Sequence, residues 1–182
     1  MNWVNLIGQF FGILAVILGF VSFQMPTQKK VLIAQIATSV VFIIHYILIG
    51  ATSAVWLNLV GLFRNIAYFS RESGVKAKFL YSRNLPIVFA VIMAIMGVLS
   101  WENVYSLLII FGITINTICL SFKNPQNLRK SILISSPLVL LYDVVVISVG
   151  GIVYESVAII SSIIGIIRFR KGKEISAEVK AQ

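Results

Sequence analysis

"SFQMPTQKK" (22–30) and "SFKNPQNLRK" (121–130) write one junction twice, 99 residues apart. Each closes an apolar run, and Ser22, Phe23 and Pro26 fall in register with Ser121, Phe122 and Pro125. Basic residues follow both times, Lys29 and Lys30 in the first copy, Arg129 and Lys130 in the second. Each junction leads into an apolar stretch of about twenty residues, a short Gly-containing hairpin and another apolar stretch. With a two-residue gap, "HYILIGATSAVWLN" from His45 lies over "YDVVVISVGGIVYE" from Tyr142, which pairs Asn58 with Glu155. The pattern is that of a duplicated three-helix unit.

The surrounding composition names the solvent. The 182 residues are 59% hydrophobic and 12% charged, against roughly 45–50% and about 25% in ordinary globular proteins. So few charges cannot cover so much apolar surface in water. A membrane-crossing helix needs about 20 largely apolar residues, roughly 17–25. Candidates fall at 3–23, 31–50, 53–70, 84–100, 103–122, 131–149 and 151–169. None of these runs alternates in polarity as barrel strands do. Helices satisfy their own backbone groups in lipid, so seven spans are expected. No Lys or Arg precedes Lys29, so the first run reads as a retained span, not a cleaved leader.

The loops sort by charge. The N-terminus and the connections "GATS" (50–53), "SWEN" (100–103) and "SVGG" (148–151) carry no Lys or Arg, and Glu102 is their one charge. "MPTQKK", "SRESGVKAKFLYSR", "SFKNPQNLRK" and the tail from Arg168 hold fourteen of the fifteen basic residues. The fifteenth, Arg64, stands two turns from that same end and can snorkel towards it. Such asymmetry puts the N-terminus outside and the C-terminus in the cytoplasm. It also accounts for the net charge of +9 through contact with anionic lipid. Nucleic acid is not expected as a partner, because the basic loops are short and lack an aromatic platform.

Three spans, one more, then three again make the two copies parallel, related by an axis along the membrane normal. The expected fold class is therefore all-α integral membrane, with seven transmembrane helices as two parallel three-helix repeats joined by a linker helix. Its divisions are a first bundle at 1–70, a loop and linker helix at 71–102, a second bundle at 103–169 and a basic tail at 170–182. The plan resembles the SWEET and PQ-loop superfamily of transporters: Pro125-Gln126 is a literal PQ, and "NLVG" (58–61) looks like that superfamily's NxxG. "SFQMPTQKK…IHYILIG" and "GGIVYES…GIIRFR" are similar to the YgjV-type bacterial inner-membrane proteins. The resemblance implies a third helix packed between the first two of each repeat, and a substrate site between bundles.

Polar groups inside the spans mark where that site would be. Ionisable residues there cost about 2.5–3.5 kcal/mol at a helix centre, so each asks for a reason. Asp143, twelve residues into the sixth expected span, would stand near mid-membrane and could carry a proton; a neutral Asp bonded to another helix is the plainer account. Glu155 and Asn58 pair by repeat symmetry, and Asn58 offers both donor and acceptor. His45, Tyr46 and Tyr142 occupy the same zone. His45 is the one histidine and lacks partners at metal-ligand spacing. Cys119 stands alone too, so no metal or cofactor is expected. Asn65, Asn116, Thr117 and Gln9 read as helix–helix contacts. Trp56 reads as an interfacial anchor. Gly8, Gly12 and Gly19 trace one face of the first helix, for internal packing or a homodimer seam. Pro26 and Pro125 mark helix ends or hinges.

No nucleophile–base set or phosphate loop is present, so no catalytic residue and no enzyme is expected. The functional expectation is a transporter or facilitator of a small polar solute (sugar, amino acid or organic acid), with a proton as candidate co-substrate. A scaffold, receptor or accessory subunit that keeps the fold is the alternative; it would fill the space between bundles with bulky side chains.

Overall fold

The computed structural model describes residues 3–101, 104–145 and 149–181, without the side chains of 5, 52–53, 149–150 and 170–181. Glu102 and residues 146–148 of the last expected hairpin lie outside the described residues. Seven α-helices follow in order: α1 Trp3–Phe23, α2 Gln28–Ile49, α3 Thr52–Glu72, α4 Leu85–Leu99, α5 Ser106–Leu120, α6 Pro125–Val145 and α7 Val149–Ala181. A single 3-10 turn, Lys78–Tyr81, interrupts the α3–α4 connection.

The helix ends are written locally. Thr27 caps α2 from an extended backbone, its hydroxyl accepting the Lys30 N–H at 3.4 Å. Gly50 ends the same helix at φ 78°, a left-handed conformation that suits glycine. Pro86 lies in the first turn of α4, where a missing N–H costs nothing. Asn124 receives the Gln126 N–H at 3.0 Å as Pro125 opens α6.

Among the described residues three helical segments are long and apolar enough to cross a membrane: Leu6–Phe23, Gln28–Ile49 and Gly151–Phe169. Helices α4 and α5 are apolar but have 15 residues each, about 22 Å at the helical rise against roughly 30 Å of hydrocarbon. Large apolar side chains at four-residue spacing, Ile87, Val91 and Ile95 on α4, are about half exposed. A bilayer is the solvent that such a stripe fits.

Consecutive helices pack on one another throughout, and α1 also meets α7, so the seven close a ring. Here the structure departs from the implied packing. The second helix of each trio, α2 or α6, is the one packed against both of its mates. Two residues, Gly50 and Ala51, join α2 to α3, and so short a turn leaves α3 beside α2. The start of α6 also moves: it opens at Pro125, before the 131 expected from hydropathy. At the other terminus α7 runs unbroken to Ala181 through the segment read as a separate tail. That tail has no proline, and its Ala, Glu and Lys favour helix.

The buried core lies at the end bearing the basic loops. Phe23, Val31, Leu32, Tyr68, Leu120 and Leu128 form one cluster, joined by Ile132 and Ala158. Six of the seven helices contribute to it, so the ring is filled at that end.

Candidate functional site

The two quoted junctions are built alike. Ser22 Oγ donates to the Gly19 carbonyl at 2.7 Å, and Ser121 Oγ donates to the Ile118 carbonyl at 2.6 Å. Both hydroxyls turn back one helical turn, which leaves the last carbonyls of α1 and α5 open to partners across the ring. Arg129 on α6 supplies those of α1, with Nε on Phe23 O at 2.7 Å and Nη2 on Met25 O. For α5, Gln28 Nε2 reaches Leu120 O at 2.7 Å and Arg71 Nη2 reaches Ser121 O. Gln24 donates to Ser161 O at 2.7 Å, while the Ser161 hydroxyl donates to Phe20 O at 2.9 Å. Apart from the two local serine bonds, all of these join the first helical trio to the second, and all lie at the basic-loop end.

Beyond this seal the ring opens into a cavity of about 720 Å³. Five of the six residues expected at a site stand on its wall: His45, Tyr46, Asn58, Asp143 and Glu155. Tyr142 is half-buried on α6 and lies off the wall. Asp143 is nearly fully buried and stands well past the middle of the described part of α6, because that helix starts at Pro125, earlier than hydropathy suggests. Its carboxyl packs where a side chain at Gly151 would otherwise sit, which ties it to the start of α7. Asp143 therefore interacts electrostatically with Glu155, one turn further along α7, and with Tyr46 on α2. Ser136 on α6 hydrogen-bonds the Glu155 side chain. Asn58 donates one of its two amide N–H groups to the Ala54 carbonyl at 2.9 Å, leaving the other and its oxygen for other partners.

His45 is held from α1. Its Nδ1 lies 2.7 Å from the Gly8 carbonyl; a carbonyl can only accept, so Nδ1 bears the proton of that bond. Gly12 makes room for the ring, since a Cβ there would stand 2.9 Å from His45 Cε1. Gly19 likewise admits Tyr154 of α7, at 3.2 Å from the same construction. The glycine face of α1 thus serves internal packing. Among the described residues no group of three His, Cys, Asp or Glu side chains could hold a metal ion.

Arg64 does not snorkel. Nη1 crosses the ring to Thr117 Oγ1 on α5 at 2.8 Å, and Nε and Nη2 bond Asn65 Oδ1 at 3.2 and 3.1 Å. Asn65 in turn donates to Ser39 Oγ on α2 at 3.3 Å. Asn116 accepts from Ser131 and Ser135 of α6 at 3.0 and 2.9 Å. These are the helix–helix contacts that the sequence suggested. Gln9 instead lines the cavity, and Trp56 is 56% exposed on the outside of α3. Pro26 and Pro125 face a separate crevice at the basic-loop end, beside Arg129 and Phe169.

Of the cavity's aromatic wall, sequence reasoning named Tyr46 and missed Phe42 and Tyr154. Phe42 stacks on Tyr46 with centroids 5.6 Å apart and meets the edge of Tyr154 at 5.5 Å. The available signal was the i, i+4 spacing of Phe42 and Tyr46, with His45 between them on one helical face. Pro137, inside α6 and next to Ser136, was missed as well; it removes one helical hydrogen bond beside the cavity.

No curated protein and no solved structure matches the chain. A family model described as a bacterial inner membrane protein, Imp-YgjV, matches residues 6–173, and the chain belongs to that family.

Proposed function

We propose that this inner membrane protein is a multi-pass transporter or facilitator of a small polar solute, working by alternating access between residues 1–70 and 103–169. The observation that carries the reading is the cavity of about 720 Å³ inside the helical ring, walled by Asp143, Glu155, Asn58 and His45. A scaffold has no use for ionisable side chains around a void in the membrane, where each is expensive. Bulky side chains filling the ring would have favoured that alternative.

The like construction of the Ser22 and Ser121 junctions supports a duplicated unit. So does the shared packing order of α1–α2–α3 and α5–α6–α7. The SWEET-like three-one-three plan is the corresponding architecture, although the middle helix is the second of each trio. With the basic loops cytoplasmic and the N-terminus outside, the seal closes the cytoplasmic end and the state is outward-facing. Asp143 is the candidate proton carrier. The reading assigns no bond-making chemistry to the protein.

Uptake into proteoliposomes, measured for sugars, amino acids, amines and organic acids, tests it. Saturable flux of one class, lost in Asn58→Ala, is the expected outcome. Absence of flux for every class from protein shown to be folded would overturn it.

A further inference from the structure

We infer that the cavity takes a small protonated amine, held by the Asp143 and Glu155 carboxylates against the Phe42, Tyr46 and Tyr154 rings. The inference deepens the transport reading and rests on it for the solute's passage, though not for its binding.

The charges on the wall decide between solute classes. Asp143 and Glu155 come together at the α6–α7 hairpin, and both line the cavity. Arg64 is the one Lys or Arg on the described wall. Its Nε, Nη1 and Nη2 are all engaged, by Asn65 Oδ1 and Thr117 Oγ1. An anionic solute would therefore meet two carboxyls and a single cation with three of its five N–H donors already spent. A neutral sugar would leave the two carboxyls without a counter-charge, and Trp3, Trp56 and Trp101 all lie off the wall.

An ammonium group finds what it needs. The rings of Phe42, Tyr46 and Tyr154 form one contiguous cluster, with centroid separations of 5.6 and 5.5 Å about Phe42. Aromatic faces attract a cation through their quadrupole, most strongly when water is excluded. His45 adds an acceptor: with Nδ1 turned to Gly8 O, the neutral ring presents the Nε2 lone pair. Asn58 contributes its side-chain oxygen, which the bond from its nitrogen to Ala54 leaves untouched. N–H donors of a primary amine can satisfy acceptors of this kind, whereas a quaternary ammonium cannot.

Thermal unfolding of the purified full chain in detergent tests the inference. The probes are methylammonium chloride and 1,4-diaminobutane hydrochloride, with glucose, sodium acetate and sodium chloride at matched ionic strength as the other arms. At least one amine is expected to raise Tm by several degrees, as a ligand selective for the folded state must. Half-saturation is expected to weaken at least tenfold in an Asp143→Asn/Glu155→Gln double variant, and Glu155→Gln alone is read if that variant does not fold. No shift from either amine would overturn the inference, as would a shift equalled by sodium chloride or one unchanged in the variants. Preference for glucose or acetate overturns it too, while saturable uptake of either would leave transport standing. Amine binding without flux of any solute would sink the transport reading and leave this one intact.

Discussion

Arg129 on α6 donates from Nε to the carbonyl of Phe23 at the end of α1, 2.7 Å away, and is 99% removed from solvent. It stacks on Phe169 at 4.5 Å and packs into the space left by Gly165, where a Cβ would lie 2.7 Å from both Arg129 Nε and Phe23 O. One side chain thus pins three helices at the sealed end. Arg129→Ala leaves the Phe23 and Met25 carbonyls without this partner and is expected to destabilise the fold by about 2–4 kcal/mol. Arg129→Lys is not expected to restore it, because an ammonium cannot reproduce the planar fork. Gly165→Ala is expected to cost about 1–3 kcal/mol. The two losses should fall short of additivity, since they break one contact. Denaturant unfolding of the two single variants and the double variant in detergent reads all three values; strict additivity would refute the pin.

His45 and Gly12 form a second matched pair. Alanine at position 12 drives its Cβ to 2.9 Å from the imidazole, which must then leave the Gly8 carbonyl or push α1 away from α2. We expect Gly12→Ala to destabilise by about 1–3 kcal/mol. In a His45→Ala background the same change should cost less than half as much. A Gly12→Ala penalty independent of residue 45 would show that the ring is not what the glycine accommodates.

How far the sequence revealed these relations depended on chemistry. The junctions at Ser22 and Ser121 were legible because Ser, Phe and Pro recur in register, and the structure gives both serines the same bond. Asp143, Glu155, Asn58 and His45 stood out because polar groups are rare in apolar helices, and all four line the cavity. Phe42 was illegible: an apolar ring costs nothing whether it faces lipid, core or cavity. Arg64 was read from its own helix alone, yet its partner Thr117 lies 53 residues away on α5. The order of packing within each trio escaped for a related reason. Hydropathy tells which helices are in lipid and is silent on which faces meet.

Gly151 and Asp143 connect the fold to the site. The Asp143 carboxyl occupies the place that a methyl group at residue 151 would take, so Gly151→Ala must displace it from the wall. We expect transport of the identified solute to fall at least tenfold in Gly151→Ala, with Tm lowered by a few degrees. Combined with Asp143→Ala, the substitution at 151 should restore Tm towards that of Asp143→Ala alone, since the clash has gone, while transport stays lost. Wild-type uptake by Gly151→Ala in proteoliposomes would remove Asp143's placement from the mechanism.

The side on which the cavity opens follows from the basic loops. Cys119 is the only cysteine, so a Cys119→Ser background gives a blank for thiol labelling. Lys123 is exposed at the sealed end, and Trp101, 45% exposed, lies at the other. With cytoplasmic basic loops, a membrane-impermeant maleimide on intact cells should label Trp101→Cys and spare Lys123→Cys. Inverted vesicles should show the reverse. The opposite pattern would turn the molecule over, so that the sealed end would face outward and the cavity with Asp143 and Glu155 would open to the cytoplasm. That result would make the structure an inward-facing state and leave the fourteen basic residues outside Arg64 without their topological explanation.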